Sequence, residues 1–264
     1  MSWIITGTQR YQPDALLDQY PGAAAAYSLR NLVGTSNPAV VRVRRDNDNS
    51  EADFTATEVS DGTLAAWVGA GNDGFVRTWY DQSGNARHAE QATTASQPQI
   101  VSSGAVVTQG SKPAIDLSTD YLTNAMPQFT AHTIIAVVRT DTKTLSIIAG
   151  TDSNVQYGTS FGYVSPTDFR FQSESSAILT GNVDLERLFF AFSNSSSGAI
   201  YANSFLKATG TSSGTYDYNI IGGRQSQNPL YFDGKMQEMI FYSSDQSANR
   251  VGIESNINAH YSIF

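Results

Sequence analysis

The chain has 264 residues, 16 of them basic and 24 acidic, for a net charge of −8. That length supports one large domain with a real core, and the charge excludes sequence-independent binding to nucleic acid or to an anionic membrane surface. Charged residues make up only 15% and cysteine is absent, which excludes disulfides, thiolate metal sites and a Cys nucleophile and suits a β protein with many polar turns.

The first residues, MSWIITGTQRYQPD, lack the basic-then-apolar order of a secretory signal. Residues 1–12 read as a lead or tether, and 13–264 as a single domain. Residues 13–32 read as helical in parts, with Ala23 to Leu32 a good helix former. The period then changes to two. Residues 39–45 and 74–80 are predicted strands, with a short helix or turn at 62–69 between them. Asp46, Asp48, Glu51 and Asp53 read as a solvated polar loop. Further strand signals fall at 99–102, 105–108, 114–117, 133–139, 145–150, 159–164, 168–172, 187–193, 199–202, 218–221 and 231–242. Gly, Asn, Asp, Ser and Pro clusters separate them. Many short strands at this spacing predict an all-β sandwich, and residues 244–262 predict a closing helix. No apolar run reaches the ~18 residues of a membrane-spanning helix.

The most informative run is WYDQSGNARHAEQ, residues 79–91. A strand ends in an Asp and a Ser-Gly-Asn turn, and a second strand begins. Asp81 and Asn85 either satisfy the turn's own backbone or present oxygens to a sugar hydroxyl or Ca²⁺. Two oxygens do not make a calcium site, which takes 6–8 ligands, so no cofactor is expected. The run resembles the laminin-G and concanavalin-like sandwiches, which carry a D-x-S-G-N-x-x-H turn. Taken with AAAAYSLRNL, VVRVRR, GFVRTWYDQSGNARHAEQ, QPQIV and NIIGGRQSQNPLYFDGKM in this order, the chain is similar to the catalytic module of the arabinofuranosidase B family. The same ordered motifs resemble modules in structural proteins of tailed bacteriophages. The fold expected from this likeness is a concanavalin-like jelly roll with a few short helices.

The resemblance implies a retaining glycosidase, which needs two carboxyl groups about 5–5.5 Å apart. In that family the acid/base Asp follows a Gly-Gly pair; here Gly222-Gly223 is followed by Arg224, which cannot donate a proton at neutral pH. The stretch matching the nucleophile's strand, YGTSFGYV, holds no carboxylate. Glu238 and Asp233 are the alternative pair; otherwise Asp233 shapes a turn and Glu238 caps or pairs internally. His88, His132 and His260 have no metal spacing. His88 is expected to finish the Asn85 turn.

Tyr157, Tyr163, Tyr216, Tyr218 and Tyr231 lie in turn-rich places and are candidate exposed anchors for sugars or proteins. The candidate ligand-binding residues are therefore Asp81, Asn85, Tyr157, Tyr163, Arg224 and Tyr231. The expected function is a non-enzymatic bacteriophage virion protein, on tail fibre, baseplate or capsid surface. Its expected partners are other virion proteins, a second copy of itself and cell-surface glycans. An arabinofuranosidase-like hydrolase and a free carbohydrate-binding module are the alternatives.

Overall fold

A computed structural model describes residues 15–143, 145–152, 158–173, 175–180, 183, 187–225 and 229–264. The predicted lead, 1–12, and Tyr157 lie outside the described residues. The architecture is the expected all-β sandwich, with short helices at Leu16–Gln19, Ala56–Ser60 and Thr63–Val68 and a longer one at Arg250–Tyr261.

The long strand Asp233–Tyr242 organises the first sheet. Its Glu238–Tyr242 half pairs antiparallel with Ala23–Ser28, and its Asp233–Met236 half pairs with Ile115–Ser118 on the same side. On its other side lies Ala131–Thr140, followed by Leu188–Asn194, Ser197–Ala202 and Phe205–Thr211. The inner strands read as nearly continuous apolar runs because both faces are covered. Met239, Phe241, Ile134 and Phe189 point into the main core. Ile240, Ile135, Val137 and Phe190 point the other way, against Ile253, Ile257 and Tyr261 of the closing helix. Those three helical residues are spaced four apart, which aligns them on one face.

The second sheet starts at Glu51–Thr55, continues through Ala39–Arg45 to Gly74–Trp79, and reaches Ile220–Ile221 by way of Ala89–Glu90 and Leu122–Thr123. It then runs through Ser146–Gly150, Ser160–Tyr163 and Phe169–Gln172 to Ala177–Thr180. Val41, Trp79, Ile148, Phe161 and Phe171 face the main core from this side.

Three expectations need correction. Ala23–Ser28 is a strand, buried along its whole length, although alanine is the best helix former. Tertiary pairing with Asp233–Tyr242 overrides that propensity. Glu51–Thr55 is also a strand rather than part of a loop. Asp53 forks onto Arg42 at 2.7 and 3.0 Å, and Asp48 onto Arg45 at 2.9 and 2.6 Å. Asp48 and Asp53 are solvent-exposed as expected and form surface ion pairs, while Asp46 accepts from the Asp73 N–H. Finally, Tyr163, Tyr216 and Tyr218 are fully buried. Tyr163 packs edge-on to Phe169 and Phe189, while Tyr216 and Tyr218 surround His132. None of the three is a surface anchor.

Candidate functional site

The turn after Gly74–Trp79 is a strap. Asp81 is buried, and its Oδ1 accepts from the backbone of Ala26 at 2.9 Å and of Ser83 at 2.8 Å. Its Oδ2 accepts from the Arg87 backbone at 3.0 Å and the Ser83 hydroxyl at 2.9 Å. Asn85 donates through Nδ2 to the carbonyls of Ala23 and Ala24, at 3.0 and 3.1 Å. Gln82 accepts from the Leu32 N–H and donates to the carbonyls of Ser28 and Arg30. His88 finishes the turn as expected, accepting through Nδ1 from the Asp81 N–H at 3.1 Å. Gly84, at φ +88°, makes the reversal possible.

The bonds to Ala23, Ala24, Ala26 and Ser28 land on the edge of Ala23–Ser28 that no strand covers among the described residues. An open edge exposes unpaired N–H and C=O groups, and the strap's side chains satisfy them. Both Asp81 oxygens and the Asn85 amide nitrogen thus serve the chain's own groups, the first of the two roles expected of these residues.

The alternative carboxylate pair fails on geometry. Asp233 and Glu238 are five residues apart on one strand, which places them roughly 16 Å apart at a strand rise of ~3.3 Å per residue, against the ~5–9.5 Å a glycosidase pair needs. Glu238 is also fully engaged. It receives Nε and Nη2 of Arg30 at 2.7 and 3.0 Å, the Ser28 hydroxyl at 2.8 Å and the Tyr261 hydroxyl at 3.2 Å. Among the described residues, no group of three His, Asp or Glu side chains could hold a metal.

The remaining candidates, Arg224 and Tyr231, do come together. Gly223–Arg224 pairs with Leu230–Tyr231 as a small hairpin. It is laid against Ser146–Gly150 by the Gly222 N–H on the Ile148 carbonyl, 2.8 Å, and the Gln225 N–H on the Thr151 carbonyl, 3.1 Å. Glycines permit this approach. A Cβ on Gly150 would meet the Thr159 carbonyl at 2.8 Å and the Arg224 Cβ at 3.1 Å; one on Gly223 would meet the Leu230 carbonyl at 2.8 Å. The Tyr231 ring lies 6.2 Å from that of Tyr121, tilted by 32°, and both residues are half-buried.

Arg224 itself is only 5% exposed. Its Nε and Nη1 are sealed from solvent and have no hydrogen-bond partner among the described residues. Burial lowers its pKa, and the neighbouring positive charge of Arg170 lowers it further. A buried polar group without a partner is rare in folded proteins and points to something that completes it. Sequence reasoning singled out Arg224 only for following two glycines; its burial was not readable there.

A scan against protein-family models finds no match, and neither does a search of curated proteins. Among solved structures, the chain is similar to an arabinofuranosidase complexed with arabinofuranosyl-α-1,2-xylobiose, with a TM-score of 0.60 at 16% identity, over 94% of this chain and 64% of that one. It is equally similar to a GH54 α-L-arabinofuranosidase soaked with a cyclic sulfate inhibitor, with a TM-score of 0.60 at 15% identity, over 94% of this chain and 65% of that one. The chain thus spans slightly less than two thirds of the length of these proteins. At such identity the likeness establishes the fold alone, a β-sandwich.

Proposed function

We propose that this chain is a non-enzymatic structural protein of a bacteriophage particle, on a tail fibre, baseplate or capsid surface, whose sandwich contacts host-surface glycans. One observation carries the non-enzymatic part. Where the family resemblance puts a proton-donating Asp, this chain has Arg224, buried and permanently charged. Asp233 and Glu238 cannot substitute, because they are far apart and Glu238 is saturated by Arg30, Ser28 and Tyr261. Support for glycan contact comes from the sandwich fold and from the half-buried Tyr121–Tyr231 pair beside Arg224, since tyrosine offers an apolar face and a polar tip. The ordered motifs shared with phage structural modules support the particle.

The test is light scattering on the purified full chain, with an aryl arabinofuranoside assay on the same sample. A defined oligomer without turnover is the expected result. A monomer that releases arabinose would overturn the proposal and restore the hydrolase reading.

A further inference from the structure

We propose that the Arg224 corner is an anion site, and that it takes the carboxylate of an acidic sugar. This rests on the glycan-contact reading above and gives that glycan a charge.

The central observation is an incomplete ion pair. Arg224 is 95% buried by its 5% exposure, and its Nε and Nη1 have no partner among the described residues. The guanidinium cannot escape by losing a proton, because it stays charged at any ordinary pH. A buried charge is normally paired.

A second cation bears on the same place. Gly150 pairs with Ser160, Ser160 with Gln172, and Gly162 with Arg170. Side chains alternate along strands, and Phe161, Tyr163, Phe169 and Phe171 of these strands face the core. Ser160, Arg170 and Gln172 therefore lie on the opposite face, the one on which Arg224 rests over Gly150. The positive charge of Arg170 also bears on Arg224, so an anion at this corner would be attracted by both.

The chemistry around the pair narrows the anion. A guanidinium fork matches a planar carboxylate in bidentate fashion. The neighbouring groups are neutral and sugar-like in their preferences: the Ser160 hydroxyl, the Gln172 amide and the Tyr231 ring. A chain of net charge −8 repels polyanions, so a single carboxylate on an otherwise neutral sugar fits better than a nucleic acid or polyphosphate.

The experiment is isothermal titration of the full chain with glucuronic acid, N-acetylneuraminic acid, glucose and sodium sulfate, on the wild type and on Arg224→Gln. Melting temperatures are read in parallel. At least one carboxylate sugar should bind tenfold or more tightly than glucose, and Arg224→Gln should lose that tenfold preference. The same sugar should raise the melting temperature of the wild type only. Arg224→Gln should itself melt no lower than the wild type, because it removes an unpaired charge, and this separates lost binding from lost folding.

Equal binding of glucose and the acidic sugars would overturn the anion site while leaving glycan contact intact. Sulfate binding without any response to either acidic sugar would overturn the acidic-sugar ligand and leave glycan contact to rest on neutral sugars alone. Retention of the preference in Arg224→Gln would overturn the assignment to this residue.

Discussion

Two arginines in this sandwich sit in opposite conditions. Arg30 packs beside the closing helix with every nitrogen used: Nε and Nη2 grip Glu238, and Nη1 donates to Asn256 at 2.9 Å. Burial disfavours its charge, but Glu238 more than compensates, so its pKa is raised. Arg224 is buried at the rim of the other sheet, and its pKa is lowered by desolvation and by Arg170. The same side chain is completed by the fold in one place and left incomplete in the other. A saturated polar cluster reads as architecture; an unsatisfied one reads as a place where something binds.

The comparison breaks hardest at Arg30's partner. Glu238→Ala leaves the Arg30 guanidinium buried and unpaired, and should destabilise the chain by about 3–5 kcal/mol in urea unfolding. Next comes the strap. Asp81→Ala strips a carboxylate from buried donors, the Ala26 N–H among them, and should cost about 2–3 kcal/mol; a loss below about 1 kcal/mol would mean that the edge of Ala23–Ser28 finds water instead.

Acid supplies a third test. Burial pushes the His132 pKa down to about 3 and that of His260 down to about 4, below the ordinary 6.5. Both are then neutral in the folded chain while the unfolded chain takes up protons. Their contribution is complete above pH 6.5 and is lost as pH falls from there toward 3 and 4. Each histidine should add a slope of about 1.4 kcal/mol per pH unit in that window, and His132→Phe should flatten its share in a pH series of denaturant midpoints. The smallest effect has the opposite sign. Arg224→Met should raise stability by about 1 kcal/mol, and a marked fall would show that Arg224 is held by the fold as Arg30 is.

Much of the sandwich was readable in the sequence, because polar turn clusters mark the ends of strands such as Gln99–Ser102 and Phe169–Gln172. The misreadings have physical causes. Ala23–Ser28 carries a helical composition, and what makes it a strand is a partner more than 200 residues away. In Glu51–Thr55 the sequence EADFT offers a single large apolar residue, Phe54, so its alternation is hidden under charge. Tyr163 lies in a predicted strand, but the sequence did not show that both faces of that strand are covered, and there Gly162 lets the neighbouring strand approach so closely that a Cβ would strike the Ser146 carbonyl at 2.5 Å. At the site, position alone drew attention to Arg224. That it has no partner is a three-dimensional property: composition counts charges but does not show which of them meet.

The place of Asp233–Tyr242 has a consequence for synthesis. It is the last strand among the described residues, and it joins Ala23–Ser28, Ile115–Ser118 and Ala131–Thr140. A chain leaving the ribosome therefore holds three strands of the first sheet while the residues between Thr140 and Asp233 are made, before their common neighbour appears. Such long-range pairing folds slowly, and waiting edges invite association. A nascent chain arrested before Asp233 should be recognised by chaperones and cut readily by protease, and release of the last thirty residues should convert it to a resistant form in one step.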